Sequence, residues 1–211
     1  MVLACAIASP WVLAAAAEDY SRAERAIFMS KHLANVQPPA TLQYRYVKSG
    51  SMEPGFEDRV TLKLTARADR SCCTANADFL SGTRKLALPE VESAEGNPVL
   101  LYFLERDIRE MSRLTKGQSN YFRKRIRMAI YQAAEIQELT LPYRGKDVAA
   151  RRFTVAPYLD DPLRDRFAKL AGKRYTFTLS DAVPGGVVAV ATQVDAEGGA
   201  PPLWIEEMTL Q

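Results

Sequence analysis

Hydrophobic and polar positions follow two different periods along this chain. Leu42, Tyr44 and Tyr46 alternate with Gln43 and Arg45, and Val60, Leu62, Leu64 and Ala66 alternate with Thr61, Lys63 and Thr65. Alternation puts apolar side chains on one face of a pleat, so both runs predict half-buried strands. The turn-rich stretch from Ser49 to Asp58 joins them as a hairpin. Further strands are expected around Asn76–Leu80 and Arg84–Leu88, separated by Ser81-Gly82. The period then becomes helical. Leu104, Ile108, Met111 and Leu114 share a face that Lys116-Gly117 closes, and Ser119 opens a second helix carrying Phe122, Ile126, Ala129, Ile130 and Ala133. Upstream, Ser21 and Glu24 have the spacing of a capping box, and Ala23, Ile27, Phe28 and Leu33 predict an amphipathic helix over 20–34, stopped by Gln37-Pro38-Pro39.

From about residue 135 the two-residue period returns, in Leu139 with Leu141 and Phe153 with Val155, across Arg144-Gly145. Asp161-Pro162 reads as an N-cap and first helical residue, with Gly172 as the matching stop. Tyr175, Phe177 and Leu179 form another strand, Pro184-Gly185-Gly186 a turn, and 187–194 and Leu203–Leu210 the last two strands. Roughly eight strands joined mostly by hairpins imply an α+β fold. Its antiparallel sheet, flat or curled into a half-open barrel, would carry helices packed on one side. Without internal repeats or low-complexity linkers, residues 18–211 read as a single domain.

Residues 1–17 carry no charge, and Glu18-Asp19 ends the run. Seventeen residues fall short of the roughly 20 a bilayer core needs. The terminal Ala14-Ala15-Ala16-Ala17 suits a cleavage pocket for small side chains, so 1–17 read as a signal peptide and the product as periplasmic. No Lys or Arg precedes the apolar run, and Val2-Leu3-Ala4-Cys5 matches a lipoprotein box only by chance, since its apolar stretch follows the cysteine. Composition adds little. At 47% apolar and 25% charged the chain is ordinarily globular, and 28 Lys+Arg against 25 Asp+Glu argue against a nucleic-acid partner.

Candidate chemistry is sparse. Cys72 and Cys73 are adjacent, which suits neither an ordinary disulfide nor joint metal ligation, so they read as one buried and one half-exposed thiol. Asp160-Asp161 with Asp165 lacks the alternating oxygens of a calcium loop and reads as helix capping. Lys116, Arg123, Lys124, Arg125 and Arg127, interleaved with Tyr121 and Phe122, form a basic segment suited to an anionic membrane surface. Glu105, Asp107 and Glu110 on the preceding helix offer the alternative, a salt-bridged pair of helices. No metal site, cofactor motif or Ser-His-Asp arrangement is expected.

Three stretches carry a family resemblance: 96–128 from Gly96-Asn97-Pro98, Pro157–Pro162, and Leu179–Val187 with its Asp181-Ala182-Val183-Pro184-Gly185-Gly186. They resemble an uncharacterised family of exported proteobacterial proteins. The order of helix, antiparallel meander, inserted helices and late hairpins resembles, in topology only, the LolA/LppX-type periplasmic carriers. That likeness implies a half-open barrel whose concave face holds acyl chains. Separately, Ser49-Gly50-Ser51-Met52-Glu53-Pro54 resembles the nucleophile box of type I signal peptidases. There a lysine deprotonates the second serine. The matching downstream position holds Thr83, with Lys85 as the nearest substitute.

The leading expectation is therefore a periplasmic, non-catalytic binding or carrier protein for an apolar or lipid-like ligand. Tyr44, Tyr46, Leu62, Leu64, Tyr175 and Phe177 would face that ligand. The alternatives are a serine peptidase built on Ser51 and Lys85, or an assembly factor that binds another polypeptide. No protein partner is identified.

Overall fold

The computed structural model describes residues 20–69 and 72–211. The signal-peptide expectation for 1–17 lies outside the described residues. Helix α1 (Arg22–Glu24, continued as wider π turns over Arg25–Met29) precedes strands β1 (Ala40–Ser49), β2 (Phe56–Thr65) and β3 (Thr74–Phe79). Helices α2 (Val99–Thr115) and α3 (Ser119–Ala133) follow. The chain then returns through β4 (Glu135–Tyr143), β5 (Lys146–Val155), β6 (Arg174–Leu179), β7 (Val187–Val194) and β8 (Trp204–Leu210).

All eight strands form one sheet of order β3-β2-β1-β8-β7-β6-β5-β4, with every pair antiparallel. The edges β3 and β4 do not meet, so the sheet is open and no barrel closes. Because β3 and β4 are consecutive strands at opposite edges, the chain between them must cross the whole sheet. The α2–α3 hairpin makes that crossing, which is why the helices cover one face.

Register explains the core. Tyr46, Met208, Val190, Phe177, Phe153 and Ile136 stand side by side on β1, β8, β7, β6, β5 and β4. This row packs beneath the helices, with Tyr46 against Phe103 of α2 at 5.9 Å between ring centroids. Phe122 of α3 closes on Tyr158 and Phe167 at 5.8 and 5.6 Å.

Three local expectations are revised. The strand at Arg84–Leu88 is absent: residues Gly82–Arg84 make a 3-10 turn, and isolated bridges from Leu86 to Phe79 and from Val91 to Ala75 cover the β3 edge. The helix over 20–34 ends at Met29, because Ser30 turns extended and its hydroxyl bonds the Arg25 carbonyl at 3.0 Å. The Asp161–Gly172 helix is two short 3-10 turns, Arg164–Arg166 and Ala168–Gly172. The Ser21–Glu24 capping box forms in full, with both reciprocal bonds at 3.1 Å.

Candidate functional site

Beyond the face it gives the sheet, α2 carries a second apolar stripe. Leu101, Leu104 and Ile108 recur at helical spacing toward α1 and α3, where Ile27 and Phe28 of α1 and Ile126 of α3 meet them. The segment 88–98 closes the far side, and together they bound an apolar cleft of about 740 Å³. Its surface includes side chains that packing leaves in water: Leu101 is 57% exposed and Met29 52%. At one end Arg123 and Arg127 line both this cleft and an adjoining depression that also takes in Lys124, Met128 and Tyr131. Arg123 pairs with Glu105 at 2.8 Å, and Arg127 lies 3.8 Å from Glu24. Lys124 has no ion pair among the described residues. Three cations thus face two carboxylates at the mouth.

A polar clamp fixes the cleft's other end. His32 is buried; its Nε2–H donates to the Ala26 carbonyl at 2.8 Å, and its Nδ1 accepts the Asn97 amide at 3.2 Å. Both nitrogens are satisfied only in the neutral ring, and burial holds the His32 pKa below its ordinary value. Asn97 donates to the Tyr44 hydroxyl at 2.9 Å and the Gly185 carbonyl at 2.8 Å. Asn35 donates to the carbonyls of Asp181 and Val183 and accepts the Gly185 amide. The Asn97 and Asp181–Gly186 motifs therefore meet in space and join β1, α2 and the β6–β7 turn.

Beneath α2 the sheet carries an unusual row. One step along from the apolar row, Lys48, Glu206, Thr192 and Tyr175 stand side by side across β1, β8, β7 and β6. All four are buried. The helix answers them: Arg106 bonds Glu206 at 2.6 Å, and Asp107 accepts the Tyr175 hydroxyl at 2.6 Å while pairing with the fully buried Lys173. Since Tyr175 gives its proton to Asp107, Tyr158 donates to Tyr175, at 3.0 Å. Lys48 pairs with Glu53 at 2.6 Å and lies over the Trp204 ring at 3.9 Å. Burial raises the Glu206 pKa, with Arg106 opposing it. This network binds α2 to the sheet through matched charges.

The residues singled out from sequence are distributed as follows. Tyr44, Tyr46, Leu62, Leu64, Tyr175 and Phe177 are at most 1% exposed and pack in the core; none lines the apolar cleft. Of the basic segment, Arg123 and Arg127 line the cleft and Lys124 the adjoining depression. Arg125 turns inward to Asp161 at 2.6 Å and the Pro157 carbonyl at 3.1 Å, while Lys116 ends α2 in a left-handed conformation. Asp161 also caps the following turn through the Leu163 amide at 2.7 Å. Ser51 is exposed in the β1–β2 loop, where its amide bonds the Pro202 carbonyl at 3.2 Å. Lys85 pairs with Asp78 at 2.9 Å. Cys73 is buried and Cys72 half-buried, as the sequence suggests, with their sulfurs in contact. Among the described residues no group of three or more His, Cys, Asp or Glu is placed to hold a metal ion.

Asn35, Lys173 and Glu206 carried no pattern that marks a site; Asn97 stood only within a stretch of family resemblance, and Asp107 only as a possible partner of the basic segment. A polar residue at an inward strand position, such as Glu206 between Trp204 and Met208, is the one signal that was legible in principle.

No protein-family model and no curated protein matches the chain. Among solved structures, the Mycobacterium tuberculosis lipoprotein LppX aligns over 86% of this chain and 90% of its own, at 10% identity and a TM-score of 0.35. At that level the likeness says nothing of ligand or activity.

Proposed function

We propose that this chain is an exported, non-catalytic carrier of a single-chain amphiphile with an anionic head group. The apolar tail lies along the cleft between α1, α2 and α3, and the head group meets Arg123, Lys124 and Arg127. The observation that carries this reading is the cleft itself. Its volume of about 740 Å³ falls in the range that accommodates small organic ligands, and its floor is apolar with cations at one end. Magnitudes assign the roles. Each methylene taken from water contributes about 0.8 kcal/mol, whereas an exposed cation near an anionic surface contributes about 1 kcal/mol and is screened by salt. The tail supplies affinity, and the cations set direction. Export is supported by the uncharged, alanine-ended run 1–17.

Displacement of a fluorescent long-chain fatty acid tests the reading. Wild-type protein should bind the probe saturably, and Leu101→Asp should weaken binding about tenfold or more by placing a charge against the tail. Leu159→Asp, also an exposed leucine but outside the cleft, and Ser51→Ala should bind as wild type. Absence of saturable binding, or equal binding by the Leu101 and Leu159 variants, contradicts the carrier.

A further inference from the structure

The sequence holds one histidine, and it sits where two walls of the apolar cleft meet. Ile27, Phe28 and Met29 of α1 line one wall, and Ala94, Glu95 and Gly96, just before α2, line the other. The His32 ring ties them together. Its Nε2–H holds the Ala26 carbonyl of α1, and its Nδ1 accepts the Asn97 amide at the end of the second wall. The Asn97 side-chain oxygen takes the Val99 amide at 3.2 Å, so the tie reaches the first turn of α2. The β6–β7 turn packs closely on the ring: a Cβ on Gly186 would lie 3.1 Å from the His32 Cβ and Cδ2.

A neutral imidazole donates through one nitrogen and accepts through the other, whereas an imidazolium only donates. A proton on Nδ1 would face the Asn97 N–H, donor against donor in a buried place, and that bond would be lost. The carboxylates around the ring already have other cations. Asp181 of the β6–β7 turn lies 3.7 Å from Arg151 of β5, and Glu95 pairs with Lys31 at 2.9 Å. Glu24, on the cleft side of α1, lies 3.8 Å from Arg127 at the mouth. Tyr44, behind Asn97, stays neutral because burial raises its hydroxyl. A proton on the ring therefore breaks the tie and gains no ion pair of its own in return. We propose that neutral His32 is an acid-sensitive latch, whose protonation parts α1 from the segment before α2 and releases the amphiphile from the cleft. This inference rests on the carrier reading and adds its regulation.

The test uses a dansyl-labelled dodecyl sulfonate, whose head group keeps its charge throughout the range, with circular dichroism confirming the fold at each pH. Wild-type protein should bind the probe at pH about 7.5 and lose about three- to tenfold in affinity by about 5.5, the limit that one proton sets on a ring titrating near 6.5 once freed. His32→Gln, which cannot take up the proton, should bind equally well at both. Protonation of Glu24 or Glu105 at the mouth would act in the opposite sense, strengthening the binding of an anion. A second measurement needs no variant. The ring signals of His32, followed by NMR, should titrate with an apparent pKa that the probe lowers by about half to one unit, the same coupling read from the proton's side. Binding that survives acid undiminished, a His32 titration that the probe does not move, or an equal acid loss in His32→Gln overturns the latch while the carrier stands. No binding at neutral pH removes the carrier and the latch with it.

Discussion

Asp107 and Lys173 lie at the base of α2 with almost no contact with water, so each charge depends on the other. Removing one partner strands the other in a medium that solvates it poorly. Asp107→Ala is therefore expected to cost about 3–5 kcal/mol in urea unfolding, and the double variant Asp107→Leu with Lys173→Met to recover most of that loss. A single-variant cost below about 1 kcal/mol would show that the pair does not hold the helix. His32 makes a second prediction. Burial depresses its folded pKa, so the unfolded chain takes up a proton first as pH falls below about 6.5. Stability should be whole above that pH and fall by up to about 1.4 kcal/mol per unit below it. Glu206, whose pKa burial raises, shifts stability in the opposite sense. Comparison with His32→Gln isolates the histidine, because that variant should lack the acid loss; an unchanged pH profile would contradict this role.

At the scale of elements, the β6–β7 turn is the joint on which the clamp depends. Gly185 has φ +74°, and a Cβ there would overlap Leu42 Cδ1 and lie 2.9 Å from Asn97 Nδ2. Gly145, in the β4–β5 turn at φ +76°, has open space around it. Gly185→Ala should thus cost at least about 2 kcal/mol and loosen the cleft, whereas Gly145→Ala costs about 1 kcal/mol, the backbone part alone. Equal costs would mean that the close approach to Asn97 is unimportant. Strand existence was legible here because alternation over Leu42–Tyr46, Val60–Leu64 and Tyr175–Leu179 reflects one buried face. Boundaries set by tertiary bonds were not legible. Ser30 breaks the first helix through a local hydroxyl bond, and Leu86 makes one bridge where its neighbours suggested a strand. The polar row was hidden for the same reason: Glu206 and Lys48 are buried through Arg106 and Glu53, partners distant in sequence or in a loop.

Across the whole molecule, the order of strands decides where a ligand has room. Carrying the chain from edge β3 to edge β4 lays α2 and α3 over the sheet, and the aromatic row beneath them fills the space that a concave face would otherwise offer. The open apolar surface moves outward, to the seam between α1, α2 and α3. Sequence reasoning placed apolar residues on the correct face of each strand, yet it had no way to tell a filled face from an empty one, since both show the same alternation. It located the basic segment, and the structure divides that segment by contact. Arg125 is held inward by Asp161, while Arg123, Lys124 and Arg127 remain at the cleft mouth. Charge reversal of those last three should weaken association with anionic vesicles much as added salt does, with little loss of stability. The most direct measurement is native mass spectrometry of the protein purified without delipidation. The carrier account expects a fraction bound to one acyl amphiphile, and loss of that adduct in Leu101→Asp. A single unliganded mass for wild-type protein, or an adduct retained by the variant, would contradict it.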